Sequence, residues 1–525
     1  MFKYKLCYNI TMKNIIPETF QRIKRAKVTP FIIVFVASFI FWGAIQLATT
    51  LGDPDAFYHA KMAVLMRHNL TFDTFPWMQF STLRDNFTDH HFLYHVLLIP
   101  FVTALPPLLG VKLATAIFNA LMFTGIYYFL RKNHFKLPGL AFALMLTVTP
   151  FIFRLSLVKA TPWALLLAFL GLHFIINKKF IRLLILTIIF VLSYGGWQLL
   201  ILLAAVYAIV NILYTCWKSP RGERRLAPPL LALGTVLAGT IIGLVIHPYF
   251  PNNLSFYYQQ FVQIGLINLG KVIDVGNEWY PFPPTSLILS LSIFIVPLLL
   301  SLLLHIINYR KISERSWFFA AMSILLFAMT LKSRRYIEYA VPFSAIYILT
   351  IGNDLLSEIR NFKLRLSKKW HKFLYLGSLM LIAILMLTTL VLNYSQMLVN
   401  LSALSLTRFE KAANFLQKRT PPGATIFHSN WDEWPELFYF NSNNNYIGGL
   451  DPTFSYLYNP GKYFEWKDIR LRTERANIHS IIKDDFQSNY FFVSNHNQSL
   501  KKALDNNRNF SSIYSDNEAT IYLLR

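Results

Sequence analysis

The residues best suited to chemistry gather in three stretches. LGDPDAFYHAKMA, Leu51 to Ala63, follows at once on an apolar run from Thr29 to Thr50 and places Asp53, Asp55, Tyr58 and His59 close together. RDNFTDHH, further along the same loop, adds Arg84, Asp85, Asp89, His90 and His91. A helix starting at AFYHAKMAVLMRH needs one aspartate as its N-cap. The loop gathers several more acids and histidines than a cap requires, so at least one of Asp53 and Asp55 is expected to act on a substrate. DVGNEWYPFPP, Asp274 to Pro284, carries Glu278 on an irregular, Pro-flanked segment. LKSRRYIEYAVPF, Leu331 to Phe343, carries Lys332, Arg334, Arg335 and Glu338. Arginines at a membrane edge either anchor by snorkelling or bind anions. Beside a carboxylate-rich loop they suit a lipid phosphate or pyrophosphate. A carboxylate there can act as general base on an acceptor, or bind a divalent ion that neutralises a leaving phosphate. The matching substrate is half lipid and half polar, such as a sugar on a polyprenyl phosphate or pyrophosphate.

The surrounding elements must place these groups on one side of a membrane. The chain has 525 residues, of which 54% are hydrophobic, 16% aromatic and 14% charged, against about 25% charged residues in soluble proteins. Repeated long apolar runs predict a polytopic helical membrane protein. The net charge of +24 does not point to nucleic acid, because Lys and Arg cluster between apolar runs as the positive-inside rule requires. Eleven spans are predicted near 30–50, 112–130, 138–154, 161–177, 181–195, 197–215, 228–247, 284–307, 316–331, 338–356 and 373–393. Basic connections at 131–136, 177–182, 216–225, 308–315 and 359–372, with the basic segment 1–29, are then cytoplasmic. The loops 51–111 and 248–283 and a tail from 394 to 525 lie outside. HHFLYHVLLIPFVTAL (90–105) reads as a helix in the outer interface. The tail reads as a soluble mixed α/β domain, with a helix over 406–419 and strands within 421–431, 488–495 and 512–525. Cys7 and Cys216 fall in cytoplasmic stretches, where neither a disulfide nor a metal–thiolate site is expected.

At the same residues the chain resembles the GT-C glycosyltransferases, and within them the catalytic subunit of oligosaccharyltransferase. Asp55-Ala56-Phe57-Tyr58-His59-Ala60-Lys61 is similar to the D-P-Y-Y-H-L-R motif after the first span, whose aspartate is a metal ligand and catalytic residue; the match selects Asp55 over Asp53. PFIFRLSLVKATPWALLLAF (150–169) resembles the segment P-G-Y-I-S-R-S-V-A-G-S-Y-D-N-E-G, and LSYGGW (192–197) resembles S-W-G-G-Y. VGNEWYPF (275–282) is similar to S-V-S-E-H-Q-P, which maps its glutamate onto Glu278. RYIEYAVP (335–342) is similar to R-L-M-L-V-L-A-P, which implies a phosphate contact for Arg335. The resemblance implies a GT-C transmembrane domain over 30–393, a bilayer-embedded enzyme in a bacterial inner membrane, and a periplasmic active site. It implies transfer, with inversion, from a polyprenyl-linked donor to a protein or glycan acceptor. Arg334, Tyr58, His59, Asp89, His90 and His91 join Arg335 as expected substrate contacts.

Two departures qualify that picture. The second acidic pair of the resemblance, D-x-E, falls on Pro162 and Ala164. Either Asp55 and Glu278 hold Mg2+ or Mn2+ with a histidine such as His90, or the reaction runs without metal and Asp55 is the general base. HSNWDEW (428–434) resembles the acceptor-reading W-W-D-Y-G motif at Trp431 and Asp432 alone. The rival classes are a GT-C enzyme with a lipid or glycan acceptor, a transporter of polyprenyl-linked glycans, and an inactive scaffold. A transporter would place charges at mid-membrane, whereas here they gather at span ends. A scaffold would leave Asp55, Glu278 and Arg335 far apart.

Overall fold

The computed structural model describes residues 28–218, 227–361, 401–471 and 477–525, with positions 380, 384, 387–389, 391–392 and 394–399 between the second and third of these blocks. The basic N-terminal segment with Cys7, much of the basic stretches 216–225 and 359–372, and much of the expected span 373–393 lie outside the described residues. The helical part runs α1 (Thr29–Gln46), α2 (Asp55–Met66), α3 (Phe92–Ala104), α4 (Pro107–Lys132), α5 (Pro138–Met145), α6 (Thr149–Ser156), α7 (Thr161–Ile176), α8 (Phe180–Ser193), α9 (Gln198–Lys218), α10 (Ala227–Val245), α11 (Asn252–Tyr258), α12 (Pro284–Ile307), α13 (Glu314–Lys332) and α14 (Ile337–Asn361).

Six of these, α1, α4, α9, α10, α12 and α13, are each long and apolar enough to cross a membrane. They leave large aliphatic side chains bare, among them Ile32, Ile33 and Ile40 on α1 and Val296, Leu299 and Leu303 on α12. Lipid is the solvent that covers such faces. The protein is an integral membrane protein. The expected span at 138–154 is not one helix: α5 and α6 meet at a bend of 86°. Pro150 is the cause, since it lacks an N–H and pushes the preceding backbone away from the helical region. The bend lays α6 against α14. The expected spans at 161–177 and 181–195 are the shorter apolar helices α7 and α8.

The C-terminal part is a mixed five-stranded sheet of β3 (Thr425–His428), β4 (Asn445–Tyr446), β5 (Tyr490–Ser494), β6 (Phe510–Ser515) and β7 (Ala519–Leu524), in the order β4-β3-β5-β7-β6. β3 is parallel to both neighbours, and β7 is antiparallel to β5 and β6. The stretch 512–525 is a hairpin, not one strand, because Asp516 Oδ1 accepts from the backbone N–H groups of Glu518 and Ala519, each at 2.8 Å, and so closes a turn. Two short strands, β1 (Thr50–Leu51) and β2 (Leu404–Ser405), pair antiparallel and tie the C-terminal end of α1 to the start of this domain.

The loop after α1 and the C-terminal domain share one apolar core. Trp434 Nε1 donates to the Trp77 carbonyl and Trp77 Nε1 to the Ser442 carbonyl, each at 2.8 Å. Phe75 stacks on Phe87 with ring centroids 4.1 Å apart. The long loop before α12 is pinned to the same domain by Asp274, which pairs with Lys467 at 3.1 Å and with Arg470. Both long loops are thus held against the C-terminal domain, and the residues of interest lie where they meet it.

Candidate functional site

Neither Asp53 nor Asp55 caps α2. Its N-cap position is Pro54, with no side-chain hydrogen bond, and Asp55 is the first helical residue, where a negative charge suits the helix dipole. Both carboxylates are engaged elsewhere. The ammonium of Lys159, in the turn between α6 and α7, lies 3.0 Å from Asp53, 2.8 Å from Asp55 and 3.2 Å from Glu278. Glu278 sits on a short 3-10 turn, Asn277–Trp279. It also accepts from Arg154 at 2.5 Å and from Arg335 at 3.2 Å. Arg154 reaches inward to the fully buried Glu338 at 2.9 Å. Four acids and three bases from five segments of the chain thus form one connected network.

Burial pushes the Asp53 carboxyl up to about 6, with Lys159 opposing. For Glu278, burial raises and the cations Lys159, Arg154 and Arg335 lower, and the cations win: its carboxyl is held well below the usual range. Lys159 is held charged above its ordinary value, since Asp53, Asp55 and Glu278 outweigh the cost of burial.

Two cavities meet at this network. A polar one of about 120 Å³ is lined by Asp55, Tyr58, His59, Thr88, His90, His91, Lys159, Glu278, Trp279, Arg335 and, from the C-terminal domain, Asp451 and Phe454. An apolar one of about 300 Å³ is walled by Leu199, Leu202, Phe261, Leu266, Leu325 and Met329. His90, His91, Tyr194, Trp279 and Arg335 line both, so the two cavities adjoin. Arg335 stands at the junction with its guanidinium 4.9 Å above the Trp279 ring. The backbone passes close to this wall at Gly195, where an added Cβ would lie 2.6 Å from the His90 ring; this explains the glycine in LSYGGW. In the polar cavity wall Tyr58 Oη, Thr88 Oγ1, His90 Nδ1 and His91 Nδ1 are buried without a hydrogen-bond partner, an arrangement that native proteins keep where a ligand supplies the missing partner.

Behind the wall runs a chain of three buried groups. His59 Nδ1 is 2.8 Å from His95 Nε2, and His95 Nδ1 is 2.7 Å from Asp89 Oδ2. Asp89 accepts, so His95 Nδ1 carries a proton toward it, and a second proton is shared between His95 Nε2 and His59 Nδ1. Burial, with His95 and Lys159 next, holds His59 well below the usual imidazole range, and burial takes His90 down to about 3. Both rings are neutral at pH 7.

Several expected contacts lie elsewhere. Asp89 is fully buried behind His95 and does not line the cavity. Arg334 faces away, donating to the carbonyls of Tyr280 and Pro281 at 3.2 and 3.0 Å. Trp431 lines a separate small cleft with Asp274, Asn430 and Arg470, and Asp432 is exposed on a 3-10 turn. Asp53 touches Lys159 but is not among the lining residues. Conversely, Arg154, Lys159, Glu338, His95 and Asp451 received no role from the sequence. Arg154 and Lys159 stand inside the quoted 150–169 segment, two charges in an apolar stretch, and that was the available signal.

The expected metal pair does not fit an ion. Lys159 stands between Asp55 and Glu278, and both oxygens of Glu278 are already paired. Among the described residues no three His, Cys, Asp or Glu side chains are disposed to hold one.

No protein-family profile and no curated protein matches the chain in sequence. Solved structures do match. The archaeal oligosaccharyltransferase AglB from Archaeoglobus fulgidus, in complex with an inhibitory peptide and a dolichol-phosphate, superposes with a TM-score of 0.61 over 94% of this chain and 74% of its own, at 12% identity. ArnT from Cupriavidus metallidurans, bound to undecaprenyl phosphate, superposes with a TM-score of 0.51 over 95% of this chain and 98% of its own, at 14% identity. The chain has the GT-C fold. Within this fold the network around Lys159 lies where the loop after α1, the loop before α12 and the C-terminal domain converge.

Proposed function

We propose that the protein is a membrane glycosyltransferase that moves a sugar or oligosaccharide from a polyprenyl phosphate or pyrophosphate to an acceptor at the outer face of a bacterial inner membrane. The observation that carries this reading is the pair of adjoining cavities, polar beside apolar, with the guanidinium of Arg335 at their junction. A polyprenyl tail suits the walls formed by Leu199, Leu202, Leu325 and Met329. Its phosphate is then within reach of Arg335, which offers planar paired donors, and the sugar falls among Asp55, His59, His91 and Asp451. Both structural neighbours are described with a polyprenyl phosphate bound, dolichol-phosphate in one and undecaprenyl phosphate in the other, which supports the same class of lipid here.

The reaction is a single displacement. The acceptor's O–H or N–H group attacks the anomeric carbon, its proton passes to a carboxylate, and the bond from that carbon to the phosphate oxygen breaks with its electron pair leaving on the phosphate. Such a step inverts the anomeric centre. Asp55 is the base in this reading. Its side chain is 36% exposed and lines the cavity, whereas Asp53 is 19% exposed and does not. Glu278 and Lys159 hold Asp55 and Arg335 in one frame. The acceptor is a protein, glycan or lipid hydroxyl or amide.

The test is a transfer assay with purified full-length protein, a panel of undecaprenyl-phosphate-linked sugars and membrane extract as acceptor source. Release of undecaprenyl phosphate with the sugar recovered on an acceptor supports the reading. No release from any donor, by protein that binds the lipid, opposes it and favours a binding or transport role.

A further inference from the structure

We infer that Lys159 is this enzyme's built-in cation: its ammonium fills the place between Asp53, Asp55 and Glu278 that a divalent ion would otherwise take, and the site binds neither Mg2+ nor Mn2+. The consequences for sugar transfer rest on the function proposed above; the cation inference itself does not.

The geometry is that of a satisfied ammonium. A lysine has three N–H donors, and Lys159 finds one oxygen for each, on three carboxylates at 2.8, 3.0 and 3.2 Å. These are hydrogen-bond distances, longer than the roughly 2.0–2.2 Å that Mg2+ or Mn2+ would impose on the same oxygens. Lys159 is held from both ends: its side chain is 14% exposed and pairs with three carboxylates, and its chain neighbours Leu157, Val158 and Ala160 are buried. Glu278 is committed as well: Arg154 and Arg335 hold it, so a metal that drew on Glu278 would have to break two further charge pairs. A dication entering beside the ammonium would set three positive charges together in a half-buried site.

The sequence agrees with the exchange. The short segment that begins α7 carries Pro162 and Ala164, both buried, where the motif comparison looked for a second acidic pair. Two carboxylates are missing from it, and one cation stands three residues before. A site with fewer anions and its own positive charge has no vacancy for a metal.

The experiment uses Mn2+ as probe on full-length protein in nanodiscs, with bound Mn2+ read by electron paramagnetic resonance and protein stability by melting temperature. Wild type is expected to bind no Mn2+ at millimolar concentration and to melt unchanged with Mn2+ or chelator. Lys159→Ala leaves three carboxylates facing one another, so its melting temperature is expected to fall and to recover when Mn2+ is added. Lys159→Arg keeps the charge and is expected to show no such response, which keeps the test open if the alanine variant does not fold. Stoichiometric Mn2+ on wild type, lost in Asp55→Asn, would overturn the inference, as would a Lys159→Ala protein that melts like wild type with and without Mn2+. In the transfer assay, wild type should be indifferent to chelator and Lys159→Ala should lose at least a hundredfold in rate. Transfer that requires Mn2+ would sink the built-in cation and spare the glycosyltransferase reading. Absent transfer with the Mn2+ pattern intact would do the reverse.

Discussion

The ammonium of Lys159 lies 2.8 Å from a carboxylate oxygen of Asp55, the residue that opens α2. That contact joins the turn between α6 and α7 to the start of the loop that follows α1. Through Glu278 it continues to Arg335 at the mouth of the apolar groove. The acid proposed to take the acceptor's proton and the cation proposed to hold the donor's phosphate are therefore parts of one hydrogen-bonded body. Its geometry is set before any substrate arrives, which is the condition for electrostatic preorganisation.

Asp55→Asn is expected to lower the transfer rate by about a hundredfold or more, the scale of a lost general base, with the melting temperature nearly unchanged. The amide keeps its oxygen toward Lys159, so the frame survives while the base is gone. Parallel measurement of rate and melting separates the two effects; a rate close to wild type would move the role of base to another group.

Leu202→Trp narrows the apolar cavity without touching the polar one. The KM for an undecaprenyl-linked donor should rise about tenfold or more, while that for a donor on a very short prenyl chain changes little. The contrast between the two chain lengths is the readout. An equal change for both would mean that the groove at Leu202 does not hold the lipid.

Much of this was legible in the sequence, for reasons specific to each part. Asp55, Glu278 and Arg335 stand out because charged residues are conspicuous at the ends of apolar runs. The soluble tail announced its strands through alternation and turn residues. Arg154 was hidden because it falls within the apolar run 138–154, where the average hydropathy of a span absorbs one charge, while Glu338 stood in view beside Arg335 with no partner to assign to it. Nothing in a linear reading pairs them; the bend at Pro150 does, by laying α6 on α14. His95 was hidden in the same way, inside the apolar helix α3. Trp431 and Asp432 lie away from the cavity, on a turn whose facing a match of two residues does not fix.

The buried pair of Asp89 and His95 predicts a stability effect. His95→Leu leaves a fully buried carboxylate with only the backbone N–H of His91, at a cost of about 3–5 kcal/mol. Asp89→Asn combined with His95→Gln removes the charge as well and should restore much of that loss. Thermal unfolding of the single and paired variants checks it. If both relay partners serve His59, the paired variant will still be slow in transfer although stable.

The C-terminal domain carries a pH signature. Burial, with the neighbouring Asp432, pushes Glu433 up to about 8 from 4.5. A carboxyl raised in the folded state holds its proton there while the unfolded chain has lost it, so stability falls as pH rises from about 4.5 to 8. The ceiling on this effect is on the order of 5 kcal/mol. Glu433→Gln keeps the hydrogen bonds to Ser429 and Asn430 and should flatten that slope, with a gain near pH 8 and little change near pH 5. Melting temperatures of both proteins across this range give the comparison, and parallel slopes would assign the titration to other groups.

Transfer from a polyprenyl-linked donor requires its phosphate at Arg335 and its chain in the groove. Native mass spectrometry of protein released from nanodiscs doped with undecaprenyl phosphate reads this without any assumption about sugar or acceptor. Wild type is expected to retain one undecaprenyl phosphate, undecaprenol not at all, and Arg335→Ala to lose about 10- to 100-fold in retention, the worth of one charged hydrogen-bonding partner. Equal retention of the phosphate and the alcohol, or full retention by Arg335→Ala, would contradict it.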